Sequence, residues 1–128
     1  MKALLLVSHG SRRKASNDEV RALTEAVRAQ VCEEYEIVEA AFLELSEPLI
    51  PDGIDLCVAR GATEVVVFPY FLAAGRHVAD DIPGIAFEAI TKHPGVTLRI
   101  APHLGGSAMM SRFVADNALS VSNLRAQS

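Results

Sequence analysis

The sequence has no tryptophan, few other aromatic residues, only two cysteines and no long hydrophobic run. Cys32 and Cys57 lack CxxC spacing and have no further cysteines to complete a zinc site, so we interpret both as buried thiols. No segment approaches the ~20 apolar residues that a membrane-spanning helix needs. The apolar stretch at the amino terminus is shorter than the ~7–15 residues of a signal-peptide core and runs into charged residues. We therefore expect a soluble, cytoplasmic protein.

The sequence also has no excess of positive charge. It contains 12 Lys and Arg and 16 Asp and Glu, which gives a formal net charge of −4. This balance argues against a nucleic-acid-binding protein, which needs a concentrated positive field. Half of the residues are hydrophobic, which excludes disorder, and Ala, Val, Leu and Ile supply most of them, as is typical of a parallel sheet covered by helices. We expect one domain over residues 1–128 that binds a small molecule and neither nucleic acid nor membrane.

Four short apolar runs predict strands buried in a sheet, namely Lys2–Val7, Glu36–Phe42, Glu64–Phe68 and Val96–Ala101. The second run is the least apolar, so we expect it at an edge of the sheet. The third is the clearest, because its consecutive β-branched residues are bounded by Gly61 and Pro69.

Helical patterns separate these strands. Ser16 and Glu19 predict a capping box at the start of the first helix, whose apolar face carries Val20, Leu23, Val27 and Val31. The second helix runs over Ile50–Val58 and Gly61 ends it. The third begins between Val78 and Pro83 and ends at His93-Pro94-Gly95, and the fourth follows a Gly105-Gly106-Ser107 turn and carries Met110, Phe113 and Val114. The tail from about Ser120 is expected to fray.

The alternation of strands and helices predicts an α/β fold with parallel strands and right-handed crossovers. We expect a doubly wound, flavodoxin-like domain with strand order 2-1-3-4 and helices on both faces. In that order the loops after strands 1, 2 and 3 share one crevice at the carboxyl edge of the sheet. Those loops carry His9, Glu44 and His77. Two imidazoles and a carboxylate suit a borderline divalent metal.

Other polar residues near these loops have competing interpretations. Glu47 lies close to Glu44 in sequence, and either carboxylate could be merely solvated. His93 fits a surface position near the end of a helix, and His103 fits at most the rim of the crevice.

Basic residues surround the mouth of the predicted crevice although the net charge of the chain is negative. Arg12, Arg13, Lys14 and Arg76 give it a positive rim that would attract a polyanionic ligand. Arg13 and Lys14 also fit solvated positions, and for Lys14 we favour that alternative. Gly10 and Gly75, beside the two histidines, permit close backbone approach or unusual dihedral angles.

Three motifs carry a resemblance to a known family. They are Leu-Leu-Val-Ser-His9-Gly-Ser-Arg12, Ala41-Phe42-Leu43-Glu44 with Glu47-Pro48, and the segment from Phe68 to Pro83 that contains Gly75-Arg76-His77. The chain resembles the sirohydrochlorin chelatases, in the short CbiX form of the class II tetrapyrrole chelatases, from Lys2 to about Gly105. The segment from Phe68 to Pro83 is the most specific of the three.

The resemblance implies an enzyme that inserts a divalent metal, Co²⁺ or Fe²⁺, into sirohydrochlorin during cobalamin or sirohaem biosynthesis, without ATP or an organic cofactor. It implies that His9 and His77 handle the metal and accept protons, with Glu44 assisting. It also implies a homodimer, because longer members contain two such domains that face each other across the pocket. The resemblance does not select the physiological metal, for which nickel is a further candidate, and it does not select the pathway.

The loops that carry the histidines supply the expected substrate contacts. Arginine forks suit the carboxylates of sirohydrochlorin better than lysine does, and the flat macrocycle needs apolar surface to lie against. The substrate-binding residues we expect are Gly10, Ser11, Arg12, Arg13, Tyr70, Phe71, Leu72, Gly75 and Arg76. The three apolar residues among them, at 70–72, fit core or dimer contacts equally well.

Two other functions compete with this hypothesis. A histidine phosphatase also has a His-Gly after its first strand, but it needs an arginine immediately before that histidine, and this chain has Ser8 there. A non-catalytic metal or tetrapyrrole carrier would use the same crevice and the same residues. It would bind sirohydrochlorin or Co²⁺ without accelerating their union.

Overall fold

The computed structural model describes residues 1–122. The strands are β1 (Lys2–Ser8), β2 (Ile37–Phe42), β3 (Glu64–Pro69) and β4 (Thr97–Ile100). The helices are α1 (Lys14–Val31), α2 (Ile50–Ala59), α3 (Ile82–Ile90) and α4 (Met110–Ser122). A π-helical turn (His77–Asp81) leads into α3, and a 3-10 turn (Leu104–Gly106) precedes α4.

The four strands form one parallel sheet in the order β2-β1-β3-β4, which confirms the predicted α/β fold and strand order. The least apolar strand, β2, lies at an edge as expected. In β1, Val7 is in register with Ala41 of β2 and with Pro69 of β3. The carboxyl ends of these three strands are therefore level, and the loops that follow them leave from the same edge.

One face of the sheet carries the main core. Successive side chains of a strand point to opposite faces, and Leu5, Val7 and Val67 bury one face completely against α2 and α3. Ile54 of α2 and Ile82 of α3 are the fully buried partners from the helices. On the other face, α1 packs along β2.

The start of α1 differs from the prediction. The helix begins at Lys14 with Arg13 as its N-cap, and no side chain caps it, so the capping box expected at Ser16 is absent from this helix. Asn17 is buried instead, and its side chain accepts a hydrogen bond from Ser11 N at 2.9 Å and donates one to Ser11 O at 2.8 Å. These two bonds give hydrogen-bond partners to the backbone N–H and C=O of Ser11 in the loop before the helix. The helix starts two residues before Ser16, the predicted N-cap.

Two other side chains also differ from their predicted environments. Cys57 is buried as expected, but Cys32 is exposed and lies at the C-cap of α1. His93 is mostly buried rather than a free surface residue, and its Nε2 lies 2.7 Å from Asp55 Oδ1. This pair ties the end of α3 to α2.

The last helix is the least integrated part of the described fold. Among the described residues α4 packs chiefly against the 3-10 turn. It continues to Ser122, so residues 120–122 are helical where a frayed tail was predicted, and the rest of that tail lies outside the described residues. Across residues 1–122, no helix combines the length and the hydrophobicity that crossing a bilayer would require.

Candidate active site at the carboxyl edge of the sheet

His9 and Glu44 are brought together by the pairing of β1 with β2. The backbone ladder continues past both strands, since Leu43 N donates to Ser8 O at 3.0 Å and Glu44 N donates to His9 O at 3.1 Å. Beyond it, the side-chain atoms His9 Nε2 and Glu44 Oε2 lie 3.7 Å apart. Both side chains are about half exposed, at 46% and 53%, so this pair faces the solvent side of the edge.

Gly10 makes this close approach of the two loops possible. Its φ of +93° is in the left-handed region, which favours glycine. A Cβ at this position would lie 1.8 Å from the carbonyl oxygen of Glu44. Any side chain at residue 10 would therefore push the Glu44 loop away from His9.

Arg21 anchors the Glu44 loop from α1, a role that the sequence analysis missed. Its Nη2 donates to Ser46 Oγ at 2.8 Å and to Glu47 O at 2.9 Å, while its Nη1 binds Asp18 at 3.1 Å. The guanidinium also lies 5.1 Å from the centre of the Phe42 ring. The sequence signal was weak, because the i, i+3 spacing from Asp18 to Arg21 is common on exposed helix faces.

A cleft of about 400 Å³ opens beside His9. His9, Leu43 and Glu44 line one side of it, and residues of the π-helical turn and α3 line the other, namely Asp80, Asp81, Gly84 and Ile85. The two aspartates were not predicted as site residues, although they lie within the most specific motif of the sequence. With Glu44 they place three carboxylates around the cleft, which gives it an attractive field for cations.

His77 is the first residue of the π-helical turn. The turn forms as Val78 N and Ala79 N donate to Gly75 O at 3.1 and 3.0 Å. Its backbone position is three residues before Asp80, which lines the cleft. Such π-helical turns are rare and often mark functional sites. Among the described side chains, no group of three His, Cys, Asp or Glu residues forms a ready metal-binding cluster.

The basic residues predicted for the rim are all exposed, and they are Arg12, Arg13, Lys14 and Arg76. Ser11 is held in place by the buried side chain of Asn17.

Gly75 differs from Gly10, because a Cβ at residue 75 would meet no atom within 4 Å and the φ of Gly75 is not in the left-handed region. The packing of the protein therefore does not require glycine at 75.

The three apolar residues after β3 do not line the cleft. Tyr70 and Leu72 line a separate apolar groove on the α1 face of the sheet, and Phe71 packs against the main core. His103 precedes the 3-10 turn and is also absent from the lining of the cleft.

The CbiX family model matches residues 3–120, nearly the whole of the chain. The chain belongs to the CbiX family.

Curated relatives and a solved structure agree with this CbiX assignment. The chain is 38% identical over 113 residues to the chloroplastic sirohydrochlorin ferrochelatase of Arabidopsis thaliana, which covers 88% of this chain and 49% of that protein. It is 44% identical over 85 residues to the sirohydrochlorin cobaltochelatase of Methanococcus maripaludis, covering 66% of this chain and 58% of that one. The sirohydrochlorin chelatase SirB from Bacillus subtilis subspecies spizizenii, solved in complex with cobalt, matches with a TM-score of 0.82 and 32% identity. That match covers 94% of this chain and 50% of SirB.

This CbiX chain thus spans only about half the length of several of its relatives. Their names include both an iron and a cobalt enzyme, so family membership does not select between these two metals.

Proposed function

We propose that this chain inserts a divalent metal, Co²⁺ or Fe²⁺, into sirohydrochlorin, as a step of cobalamin or sirohaem biosynthesis. The reaction needs no ATP and no organic cofactor, and the metal ion is a substrate. The observation that carries the proposal is the pairing of His9 Nε2 with Glu44 Oε2 at 3.7 Å in a cleft shared with the π-helical turn that begins at His77. The names of the relatives support the choice of tetrapyrrole.

The chemistry requires two events at one place. The metal ion must lose water ligands, and two pyrrole N–H protons must leave the macrocycle as its four nitrogens take up the metal. A neutral imidazole serves either event, because its nitrogen lone pair binds a metal ion or accepts a proton near neutral pH. We assign both events to His9 and His77.

Glu44 assists His9 in this mechanism. Its carboxylate, 3.7 Å from Nε2, attracts the positive charge that His9 carries after proton uptake and the charge of an arriving metal ion. Because the whole pair is about half exposed, the interaction is screened and the metal is held weakly. Weak binding suits delivery, since a closed cage of ligands would retain the metal.

The loops around the cleft bind the tetrapyrrole in this proposal. The exposed guanidinium groups of Arg12, Arg13 and Arg76 pair with the carboxylates of sirohydrochlorin. The backbone at Gly10, Ser11 and Gly75 gives the macrocycle close access to the edge. For Tyr70 and Leu72 we favour the alternative assignment to dimer contacts, because they line the groove on the α1 face.

We also propose that residues 1–128 act as one chelatase domain within a homodimer. A single copy supplies one wall of the pocket, and the relatives of twice the length have room for a second domain that would supply the other.

The two free thiols, Cys32 and Cys57, support a reducing compartment such as the cytoplasm.

The test is a spectrophotometric assay of purified protein with sirohydrochlorin and Co²⁺, Fe²⁺ or Ni²⁺ in parallel, against protein-free controls. We expect metal insertion well above the spontaneous rate with at least one of cobalt and iron. Tight binding of sirohydrochlorin or metal with no acceleration would instead identify a carrier protein and overturn the proposal.

A further inference from the structure

The two most deeply buried side chains of α1 are both polar. Asn17 is 6% exposed and Thr24 is 3% exposed, and no apolar side chain of this helix is buried as far. Burying an amide or a hydroxyl costs free energy unless the group is hydrogen-bonded. The Thr24 hydroxyl donates to Val20 O at 2.8 Å, a bond within the helix itself. The side chain of Asn17, in contrast, binds the loop that precedes the helix.

The amide of Asn17 binds both backbone groups of Ser11. Its Oδ1 accepts a hydrogen bond from Ser11 N at 2.9 Å, and its Nδ2 donates one to Ser11 O at 2.8 Å. The N–H and the C=O of one residue belong to two successive planar peptide groups, so the peptide groups on both sides of Ser11 are fixed. Only a side chain with a donor and an acceptor side by side can make both bonds.

The neighbouring peptide groups of this loop are hydrogen-bonded as well. His9 O accepts a bond from Glu44 N at 3.1 Å, and Arg13 N donates to Ser11 Oγ at 3.0 Å. Each successive peptide group from His9 to Arg13 therefore has a hydrogen-bond partner, and Asn17 is the partner of the central two. The backbone of the loop is held along its whole length.

Arg12 lies within this held segment, between Ser11 and Arg13. Its side chain is exposed and forms no ion pair with the residues that the structure describes. A cation on a fixed backbone is pre-organised for a ligand, because less conformational freedom is lost on binding. The planar guanidinium fork matches the geometry of a carboxylate, so its orientation affects how well it binds.

We propose that Asn17 is a positioning residue for binding of the tetrapyrrole. It holds the backbone around Arg12 so that the guanidinium meets a carboxylate of sirohydrochlorin, although Asn17 itself is buried and does not line the cleft. The inference rests on the proposed function, which assigns Arg12 to that substrate. Arg21, one turn further along α1, anchors the Glu44 loop. One helix thus holds both loops that form the His9–Glu44 pair.

The test compares two buried polar residues of the same helix. Asn17→Leu keeps a side chain of the same branched shape and removes both bonds to Ser11. Thr24→Val is the matched control, because it also removes a buried polar group, but one whose hydrogen bond stays within α1. Absorption titration with metal-free sirohydrochlorin gives the Kd of each protein, and initial rates of metal insertion give KM and kcat.

We expect Asn17→Leu to raise the Kd and the KM for sirohydrochlorin by ~10-fold or more, because the Arg12 contact is lost from the bound state. Its kcat should change by less than ~3-fold, since Arg12 acts in binding and not at the reacting nitrogens. Thr24→Val should keep the wild-type Kd and KM whatever its stability. A less stable Asn17→Leu protein with wild-type Kd and KM would show that Asn17 only stabilises the fold, and would overturn the proposal.

A double-mutant cycle tests whether Asn17 acts through Arg12. Arg12→Ala should raise the Kd for sirohydrochlorin by itself. Adding Asn17→Leu to Arg12→Ala should then raise the Kd by less than ~2-fold, because the group that Asn17 positions is already gone. Two effects that multiply independently would overturn the assignment of Asn17 to Arg12.

Amide hydrogen exchange of the wild-type protein tests the same contact without any variant. Ser11 N–H is bonded to Asn17, whereas the N–H of Arg12 has no partner among the described residues. We expect the Ser11 amide to exchange at least ~10-fold more slowly than the Arg12 amide, after correction for intrinsic rates. Equal exchange of the two amides would overturn the proposal even if Asn17→Leu does not fold.

The Kd measurement separates this inference from the proposed function. A wild type that binds sirohydrochlorin but does not insert metal would overturn the function, and the Kd values of the variants would still decide the role of Asn17. A wild type that inserts metal, with an unchanged Kd in Asn17→Leu, would overturn the positioning role alone. A wild type that does not bind sirohydrochlorin would overturn both.

Discussion

His9 Nε2 and Glu44 Oε2 lie 3.7 Å apart although 34 residues separate them in the chain, because β1 and β2 are neighbours in the sheet and their ladder continues one residue beyond β1 and two residues beyond β2. The pair therefore depends on backbone geometry as much as on side-chain chemistry.

Gly10→Ala should separate the two loops. The new Cβ would lie 1.8 Å from Glu44 O, at a φ of +93° that alanine adopts at a cost. We expect a loss of at least ~2 kcal/mol of unfolding free energy, measured by urea denaturation, together with reduced metal insertion. Gly84→Ala is the control for stability, since nothing lies within 4 Å of its Cβ and it is in a helix. It should be neutral or stabilising by up to ~1 kcal/mol, and equal losses in both variants would contradict the close-approach argument.

Glu44→Gln should slow metal insertion by ~10-fold or more while leaving the fold intact, because it removes the charge beside His9 and keeps the shape of the side chain. Glu47→Gln is the matched control, three residues away and outside the lining of the cleft. We expect its insertion rate to equal that of wild type. If the two variants have the same rate, Glu44 has no assisting role.

Arg21→Ala should loosen the Glu44 loop from its anchor on α1. The variant loses hydrogen bonds of 2.8 and 2.9 Å to Ser46 and Glu47, so we expect a cost of ~1–2 kcal/mol in unfolding free energy and a lower insertion rate. Arg112→Ala removes only an exposed ion pair at 3.9 Å to Asp116 and should cost less than ~0.5 kcal/mol. An Arg21→Ala variant as stable and as active as wild type would show that the loop needs no such anchor.

The two cysteines should react at very different rates with a thiol reagent. Burial raises the pKa of Cys57 from 9.0 to about 11, so its thiolate is scarcely populated at neutral pH and is also inaccessible. Cys32 is exposed. We expect one thiol per chain to react in the native protein at about pH 8 and both after unfolding, since the thiolate is the reactive form. Rapid reaction of both thiols in the native state would contradict the burial of Cys57.

The strands follow from the sequence because apolar runs are local signals, and their alternation with helices predicts a parallel sheet. The position of His9 at the end of β1 follows in the same way. The strand order 2-1-3-4 was expected from the flavodoxin-like pattern. The edge where His9 and Glu44 meet was predicted from topology alone, since parallel neighbours end at the same side of a sheet.

Features set by contacts between distant residues were not predictable in this way. Ser16 and Glu19 have the spacing of a capping box, yet Asn17 binds the Ser11 backbone and the helix starts earlier. Arg21 acts through a loop 25 residues away. Met110, Phe113 and Val114 predicted a fourth helix, but in the described residues the side chains of Phe113 and Val114 are largely exposed.

The initial rate of metal insertion by His77→Ala tests the central claim most directly. We expect His9→Ala and His77→Ala each to lose at least ~100-fold in rate with unchanged circular dichroism, because each removes a metal-binding and proton-accepting group. His103→Ala, a histidine outside the cleft, should retain the wild-type rate. A folded His77→Ala protein that inserts metal as fast as wild type would contradict the assignment of the two histidines to one site.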